Sequence, residues 1–365
     1  MFSSCNYLRY LRRGVILLAL IISSAHLAHL GWAQQVESRS GALALKARRA
    51  LTIQTKKNRG GWKSSTRVTL VEGDQVSLRV KLKRRNQAQI KWYLVFPDLS
   101  IDYKNANHPW EENAYQWVGY TTIQYHRIEL SQFAQRWEIQ PFSVPDLWAP
   151  VRAWLKARGE GDKIGFYHAQ LGTFYFQAVV QTPRGLLRSA GIEDQKRLGI
   201  SPRVLRVVRQ RDRSYLGYLT GFFNVPGIFG SVTAQSRNYL GVDCADVLVA
   251  AYSHWKRRPP KKNYNVSMLV HMHKAVARVT LSQGRFEREL RWGNQVRPGD
   301  FIAVKYEGAR RFQHIGALYE DHNRDGILNG GDLVIHAGPL PLSVDRFDAG
   351  LFDGELHIFR PRGRL

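Results

Sequence analysis

The sequence predicts a β-rich, sandwich-like N-terminal domain followed by an α+β domain. In the first half, segments 67–71, 75–82 and 88–96 alternate apolar and polar residues; Gly73-Asp74 lies between the first two, and Pro97-Asp98 follows the third. This alternation is typical of half-buried strands joined by turns. In the second half, a helical pattern over 243–255 precedes several short strand patterns. A helix followed by consecutive strands favours an α+β domain.

Residues 1–33 have the pattern of a secretory signal peptide. Three arginines precede the apolar run 15–22, and Gly31-Trp32-Ala33 offers small residues for cleavage. The apolar run is well short of the about 20 residues that a membrane span needs, so we expect a cleaved leader; an uncleaved membrane anchor is the alternative. The expected location is secreted or periplasmic, with no stable membrane span after cleavage.

Two folded domains are predicted after this leader. Strand alternation is lost in the Gly- and Arg-rich stretch 183–201. We therefore expect a β-rich domain over 34–195 and a second domain over 196–365. Helical patterns also predict a helix over 145–158 in the first domain and one over 266–279 in the second.

The Trp- and Tyr-rich stretch 110–125 has two interpretations. Aromatic residues at strand spacing usually pack in a sandwich core, and we favour that interpretation. The alternative is a surface that stacks on glycan.

The charge of the chain restricts its partners. The 54 Lys and Arg residues exceed the 29 Asp and Glu residues, which gives a formal net charge of +25. A hydrophobic fraction of 44% excludes a wholly disordered chain. A basic exported protein suits anionic envelope polymers or anionic lipid surfaces. No nucleic-acid partner is expected, because the signal peptide directs the chain away from nucleic acid.

The only two cysteines are Cys5 and Cys244, and Cys5 lies in the signal segment. The mature chain therefore forms no internal disulfide. Cys244 lies at the first turn of the helix predicted over 243–255, where free N–H groups and the helix dipole favour a thiolate and lower its pKa. A thiolate nucleophile needs a base, usually His, and that His needs an orienting partner. His314 and His336 lie in two downstream strand patterns, so the three residues together indicate a nucleophilic site.

A family resemblance rests on four segments of the second half. Residues 239–252 (YLGVDCADVLVAAY) resemble the nucleophile motif of the NlpC-type cysteine peptidases of bacterial cell walls, in which an Asp-Cys pair opens a helix. Residues 297–304, 314–319 and 334–337 resemble that family's Pro-Gly-Asp turn, the strand with the base His and the strand with the orienting residue. The resemblance covers roughly residues 236–340 and implies a reduced, papain-like α+β fold for the C-terminal domain.

The resemblance also implies roles for individual residues. Cys244 would be the nucleophile, His314 the base and His336 the orienting residue, while Tyr239 and Asp243 would lie near the amine of a bound peptide. The implied activity is hydrolysis of peptide or amide bonds in peptidoglycan by a Cys-His-His triad, with no cofactor in catalysis.

Two departures from the family pattern keep alternatives open. The family usually has Ser-Gly after the cysteine, whereas this chain has Ala245-Asp246, and the two histidines are further apart than usual. The first alternative is a non-catalytic envelope-binding protein that retains the papain-like fold. The second is an enzyme that transfers an acyl or amide group through the same triad.

The additional residues between the two histidines include 321–332 (DHNRDGILNGGD), which follow an EF-hand-like pattern. Oxygen side chains at positions 1, 3, 5, 9 and 12, a glycine at position 6 and a carbonyl at position 7 suit Ca²⁺. We expect a structural calcium ion, bound more weakly because Asp replaces the usual Glu; a polar hairpin loop without metal is the alternative. The candidate ligands are Asp321, Asn323, Asp325, Ile327, Asn329 and Asp332.

Overall fold

The fold is taken from a computed structural model, which describes residues 48–49, 51–82, 87–142, 147–363 and 365. The chain from Arg48 to Leu365 forms one compact unit. The signal peptide predicted at 1–33 lies outside the described residues. Among the residues that are described, no helix is both long and apolar enough to cross a membrane.

The described chain contains many short strands and a few helices. In chain order the strands are β1 (Arg48–Arg49), β2 (Ile53–Lys57), β3 (Arg67–Leu70), β4 (Val76–Val80), β5 (Gln89–Pro97), β6 (Tyr103–Lys104), β7 (Tyr125–Glu129), β8 (Glu138–Phe142), β9 (Gly172–Thr182), β10 (Gly185–Arg188), β11 (Leu205–Arg209), β12 (Ile228–Phe229), β13 (Ala275–Ser282), β14 (Arg285–Phe286), β15 (Phe301–Lys305), β16 (His314–Glu320), β17 (Leu333–His336), β18 (Ser343–Arg346) and β19 (Gly354–Phe359). The α-helices are α1 (Trp148–Ala157), α2 (Tyr215–Thr220), α3 (Thr233–Ser236), α4 (Cys244–Lys256) and α5 (Val266–Met272). Short 3-10 helices occur at Ser131–Phe133, Gly161–Phe166, Ile192–Asp194 and Phe347–Ala349.

The predicted fold class is wrong. The expectation was a β sandwich followed by an α+β, papain-like domain, but the protein is mostly β, with 34% strand and 18% helix, several sheets and a half-barrel. The physical reason lies in the length of the helices. The apolar stripe of α4 is the strongest periodic pattern of the second half. The helices α2, α3 and α5 are short, however, so the second half contains more strand than helix once the seven strands that follow are counted.

The 11-residue strand β9 organises the first sheet. β5 pairs with one edge of β9, and β10 and β11 pair with the other edge. β11 lies beyond residue 195 in the chain but belongs to this sheet. The small sheet β2–β4–β8 and helix α1 share a buried core with it, which includes Leu78, Trp92, Val151 and Phe176. Helix α1 confirms the helix predicted over 145–158.

The surface placement of the aromatic stretch differs from the core packing that we favoured. Trp110, Tyr115 and Trp117 are 71%, 60% and 48% exposed. They lie in an irregular connection between β6 and β7, where no regular strand pairing orients alternate side chains inward. Only the end of the stretch enters a strand, at the buried Tyr125.

The second half forms a seven-stranded sheet in the order β14-β13-β19-β15-β16-β17-β18. All its neighbouring strands are antiparallel. Helices α2, α4 and α5 share one buried core with Ile315 and Ile335. On the strands of this sheet, residues at the alternate positions, such as Ile302 and Leu318, lie in a separate buried core. The helix predicted over 266–279 is only partly confirmed, because α5 ends at Met272 and β13 follows.

Candidate active site

Cys244 is the first residue of α4. Asp243 caps the helix, and its Oδ1 accepts hydrogen bonds from the backbone N–H groups of Ala245 at 3.1 Å and Asp246 at 2.8 Å. An Asp at this position satisfies donors that the first turn would otherwise leave free. The helix predicted over 243–255 is therefore confirmed, with the cysteine at its start.

The two predicted histidines meet on the neighbouring strands β16 and β17. Gly316 pairs with His336, so His314 and His336 are diagonal neighbours across the strand pair. Nε2 of His314 lies 3.0 Å from Nδ1 of His336. Gly316 allows β16 to approach β17 closely, because a Cβ there would lie 2.9 Å from the carbonyl oxygen of Ile335 and 3.0 Å from the Cβ of His336.

Asp345 extends this pair into a chain of three side chains. Its Oδ2 lies 3.1 Å from Nε2 of His336 and accepts a hydrogen bond of 2.6 Å from the hydroxyl of Ser343. Burial, which raises the pKa of Asp345, is outweighed by the hydrogen bond and charge interaction with His336, so this pKa lies below its ordinary value. Sequence reasoning missed Asp345 and Ser343. The available signal was a polar S-x-D on the strand after His336, which pairs with it.

The order of hydrogen bonds assigns the tautomers. With His336 in its neutral form, the ionised Asp345 only accepts, so Nε2 of His336 carries the proton and its Nδ1 accepts. Nε2 of His314 must then donate, which leaves Nδ1 of His314 as a lone-pair nitrogen. This assignment follows from the hydrogen-bond network. His314 therefore presents an unprotonated nitrogen that is free to accept a proton.

The start of α4 lies against the strand ends that carry the histidines. The sulfur of Cys244 interacts with the backbone N–H of Ile315, the residue after His314. A Cβ on Gly338, two residues after His336, would lie 3.4 Å from the backbone nitrogen of Cys244. None of the hydrogen bonds between described residues joins the sulfur directly to the His314 ring. Catalytic hydrogen bonds often tighten only when substrate binds.

The thiol of Cys244 is half-buried, and burial raises its pKa. The charge of Asp243 raises the pKa further, while the N–H groups of Ile315 and Ala245 lower it. The expected lowering of the thiol pKa by the helix start is therefore wrong, because burial of the sulfur, together with the charge of Asp243, outweighs it. Burial and the neighbouring His336 hold the pKa of His314 well below its ordinary value. At neutral pH the site thus holds a neutral thiol and a neutral imidazole.

Asp246 has a structural role at the start of the helix. Its side chain is 3% exposed, and Oδ2 accepts a hydrogen bond of 2.7 Å from the hydroxyl of Ser231. The same hydroxyl accepts from the backbone N–H of Asp243 at 2.9 Å. Burial raises the pKa of both Asp243 and Asp246, and the charge of Asp243 raises that of Asp246 further. The acid that replaces the usual small residue thus holds α4 to the segment around Ser231.

Asp246→Asn is expected to stabilise the protein at pH 8 more than at pH 4. A carboxyl whose pKa is raised in the folded state loses stability as pH rises from its unfolded to its folded pKa. Asn keeps an acceptor for Ser231 and does not ionise, so the gain is at least about 1 kcal/mol at pH 8. Urea unfolding at the two pH values measures the difference. The exposed Asp348→Asn serves as control, and an equal effect of D246N at both pH values would contradict this account.

Tyr239 is not brought together with Cys244. Its ring stacks on Phe222 at 4.4 Å and on His254 at 5.1 Å, which places it beside the C-terminal end of α4. Burial raises the pKa of its phenol to about 12. Asp243 does lie at the site, but its carboxylate is engaged as the helix cap.

The loop 321–332 folds around its carboxylates. Oδ2 of Asp321 accepts from the N–H of Gly326 at 3.0 Å, and Gly326 has a φ of 78°, which a glycine adopts without strain. Asp332 is fully buried and accepts from the indole of Trp292 at 2.9 Å. Oδ1 of Asp321 is buried without a hydrogen-bond partner. No group of three or more His, Cys, Asp or Glu side chains that could hold a metal ion occurs in the described ranges.

No protein-family model, curated protein or solved structure matches the chain. The resemblance to the NlpC-type peptidases therefore rests on the motif residues alone, and we infer function from the geometry of the site.

Proposed function

We propose that the protein is a secreted or periplasmic cysteine hydrolase that cleaves peptide or amide bonds, with peptidoglycan as the substrate. One observation carries this proposal: the hydrogen-bonded chain from Asp345 through His336 to His314 leaves a free imidazole nitrogen on the strand that contacts the Cys244 sulfur. A nucleophile, a base and an orienting group in this order are what covalent acyl transfer needs.

The first step follows from the neutral state of both groups. Cys244 attacks the substrate carbonyl while Nδ1 of His314 takes the thiol proton, as a general base. The positive charge that forms on His314 is stabilised through His336 by the carboxylate of Asp345. Asp243 occupies the N–H groups of Ala245 and Asp246, so the N–H of Cys244 is the donor left at the helix start for the developing oxyanion.

The second step returns the proton and releases the product. The imidazolium of His314 protonates the leaving amine as the C–N bond breaks, and a thioester to Cys244 remains. Water then attacks this thioester while His314 takes one of its protons. The carboxylic acid leaves, and the proton on His314 returns to the sulfur. The sum is one amide and one water converted into an acid and an amine.

The charge of the protein and its N-terminal export pattern support peptidoglycan as the substrate. The formal net charge is +25, and the peptide stems of peptidoglycan carry carboxylates that a basic protein attracts. The N-terminal pattern directs the chain to the compartment where this polymer lies.

The direct test is a digest of purified peptidoglycan and of soluble muropeptides, analysed by mass spectrometry. We expect new peptide termini with the native protein and an unchanged pattern with Cys244→Ala. Added amine acceptors distinguish the transferase alternative, since they would appear in its products. Co-sedimentation with cell walls and no new termini would favour the binding protein and contradict hydrolysis.

We further propose that the loop 321–332 binds calcium in a structural role. The observation that favours this is the buried Oδ1 of Asp321, which lacks a hydrogen-bond partner although the rest of the loop is well paired. Asp321, Asn323, Asp325, Asn329, Asp332 and the Ile327 carbonyl would supply oxygen ligands. The ion would stabilise the connection between β16 and β17, which carry the two histidines.

Calcium is expected to raise the thermal midpoint of the native protein. A ligand present at 100 times its Kd stabilises the folded state by about 2.7 kcal/mol, which shifts the midpoint by several degrees. Differential scanning fluorimetry in calcium and in EGTA measures the shift. Asp321→Asn should lose it and Asp348→Asn, outside the loop, should keep it. The same midpoint in calcium and in EGTA would overturn the calcium proposal and leave the triad untouched.

A further inference from the structure

Arginine side chains line a cavity at the C-terminal end of α4. The cavity has a volume of about 690 Å³. Arg257 and Arg258 follow the helix, and the opposite walls come from β3, β11 and the segment before Tyr239. The five arginines are Arg67, Arg206, Arg237, Arg257 and Arg258. Cys244 opens the other end of this 13-residue helix, about 20 Å away at 1.5 Å per residue, so the cavity is separate from the candidate active site.

The positive charge of the cavity has no balancing carboxylate. Its lining contains no Asp or Glu. Among the described residues none of the five arginines forms an ion pair, whereas arginines elsewhere do, such as Arg360 with Asp300 at 2.7 Å. The end of α4 contributes only about half a negative charge, which does not offset five guanidinium groups. Four of the five are exposed and Arg206 is buried, so the cavity presents a concentrated positive charge that would attract an anion.

Arg206 is the clearest sign of a missing partner. Its side chain is 3% exposed and packs over the ring of Tyr175 at 5.3 Å. Its terminal nitrogens donate to the carbonyls of Val204 at 2.8 Å and Ser201 at 3.3 Å. Its Nε is buried without a hydrogen-bond partner. A buried guanidinium with no countercharge is costly, and an anion in the cavity would supply that charge.

His254 forms a neutral aromatic part of the wall. Its ring stacks on Tyr239 with an angle of 6° between the planes, and Nδ1 lies 3.4 Å from a guanidinium nitrogen of Arg67. Burial and the charges of Arg67 and Arg237 lower the pKa of His254 to about 3. Its Nε2 is also buried without a partner. The ring is thus uncharged near neutral pH, and the charge of the wall comes from the arginines.

We propose that this cavity binds a phosphate group. Planar guanidinium forks match phosphate oxygens two at a time. Phosphate fits better than a single carboxylate, because its oxygens can accept from more than one guanidinium fork at once and five arginines line the same volume. The same chemistry is offered by free phosphate, by a phosphodiester of an envelope polymer and by the headgroup of an anionic phospholipid. This site does not depend on the proposed hydrolysis.

Calorimetric titration of the full chain in low salt tests the proposal. The probes are inorganic phosphate, pyrophosphate and vesicles of phosphatidylglycerol in phosphatidylcholine. The double variant Arg237→Ala/Arg257→Ala removes two exposed arginines of the cavity and should weaken binding at least tenfold. Arg285→Ala, an exposed arginine on β14, should bind like the native protein. Circular dichroism confirms that each variant is folded, and Cys244→Ala should bind the probes unchanged.

Each outcome is decisive. Binding of phosphate or pyrophosphate that the double variant loses supports a site for free or polymer-borne phosphate. Binding of vesicles alone, also lost in the double variant, supports a lipid headgroup as its source. Binding that the double variant retains, or that Arg285→Ala weakens equally, would show a general effect of positive charge and overturn the site. Failure of the folded native protein to bind any probe would overturn it as well.

Discussion

Cys244→Ala and His314→Ala should each lower kcat for hydrolysis of a soluble muropeptide by about 10³-fold or more, and the double variant should be no worse than either. The reason is that the sulfur and the imidazole act in one step. The thiol is neutral, so it attacks only while Nδ1 of His314 accepts its proton. Steady-state kinetics of the two single variants and the double variant measure this.

Exposed His271→Ala is the matched control and should keep full activity. His336→Ala should cost less than His314→Ala, because it leaves the base itself in place and removes its acceptor and its link to Asp345. Additive losses in the double variant would contradict a joint step, and so would full activity of His314→Ala.

The second large effect is expected at Phe352, which packs against both imidazoles. Its ring is fully buried and lies 5.2 Å from the ring of His314 and 5.4 Å from that of His336. Phe352→Ala should lower the free energy of unfolding by about 3–5 kcal/mol, through lost apolar contact and a residual cavity. Urea unfolding measures that loss.

Phe352→Ala should also lower kcat under conditions in which the variant is fully folded, because the two rings lose the surface that fixes their orientation. Phe176→Ala is the matched control, since Phe176 is equally buried but lies in the core around β9. It should lose a similar free energy of unfolding and keep the activity of its folded fraction. Equal effects of both variants on activity would show that Phe352 does not position the site.

The local parts of the site could be predicted from the sequence. An Asp before Cys244 and an apolar stripe after it indicated a capped helix, and the helix begins there. Alternating patterns placed His314 and His336 on strands, which β16 and β17 confirm. These features depend on residues within a few positions of one another, and local propensity decides them.

What depends on strand pairing could not be predicted. The meeting of the two rings follows from the register that sets Gly316 opposite His336, and register is fixed by the whole sheet. Asp345 belongs to the site because β18 pairs with β17, and the polar S-x-D pattern around it does not by itself indicate that pairing. The helix predicted over 266–279 ended early for a related reason: in β13 every second residue from Ala277 is buried, a period that belongs to a strand.

The thiol pKa shows the limit of arguments from a single element. A helix start alone lowers the pKa of a cysteine. Here burial of the sulfur and the nearby Asp243 charge reverse the direction. Burial is a property of the packed molecule, and the spacing of residues in one helix does not reveal it.

The most direct test of the central claim is acylation of Cys244 by p-nitrophenyl acetate, followed by rapid acid quench and peptide mass spectrometry. The account predicts a burst close to one acetyl group per chain on the peptide that contains Cys244, no burst in Cys244→Ala, and a strongly slowed burst in His314→Ala. Acetylation of Cys244 at the same rate with and without the His314 imidazole, or no acetylation of Cys244 in the native protein, would contradict it.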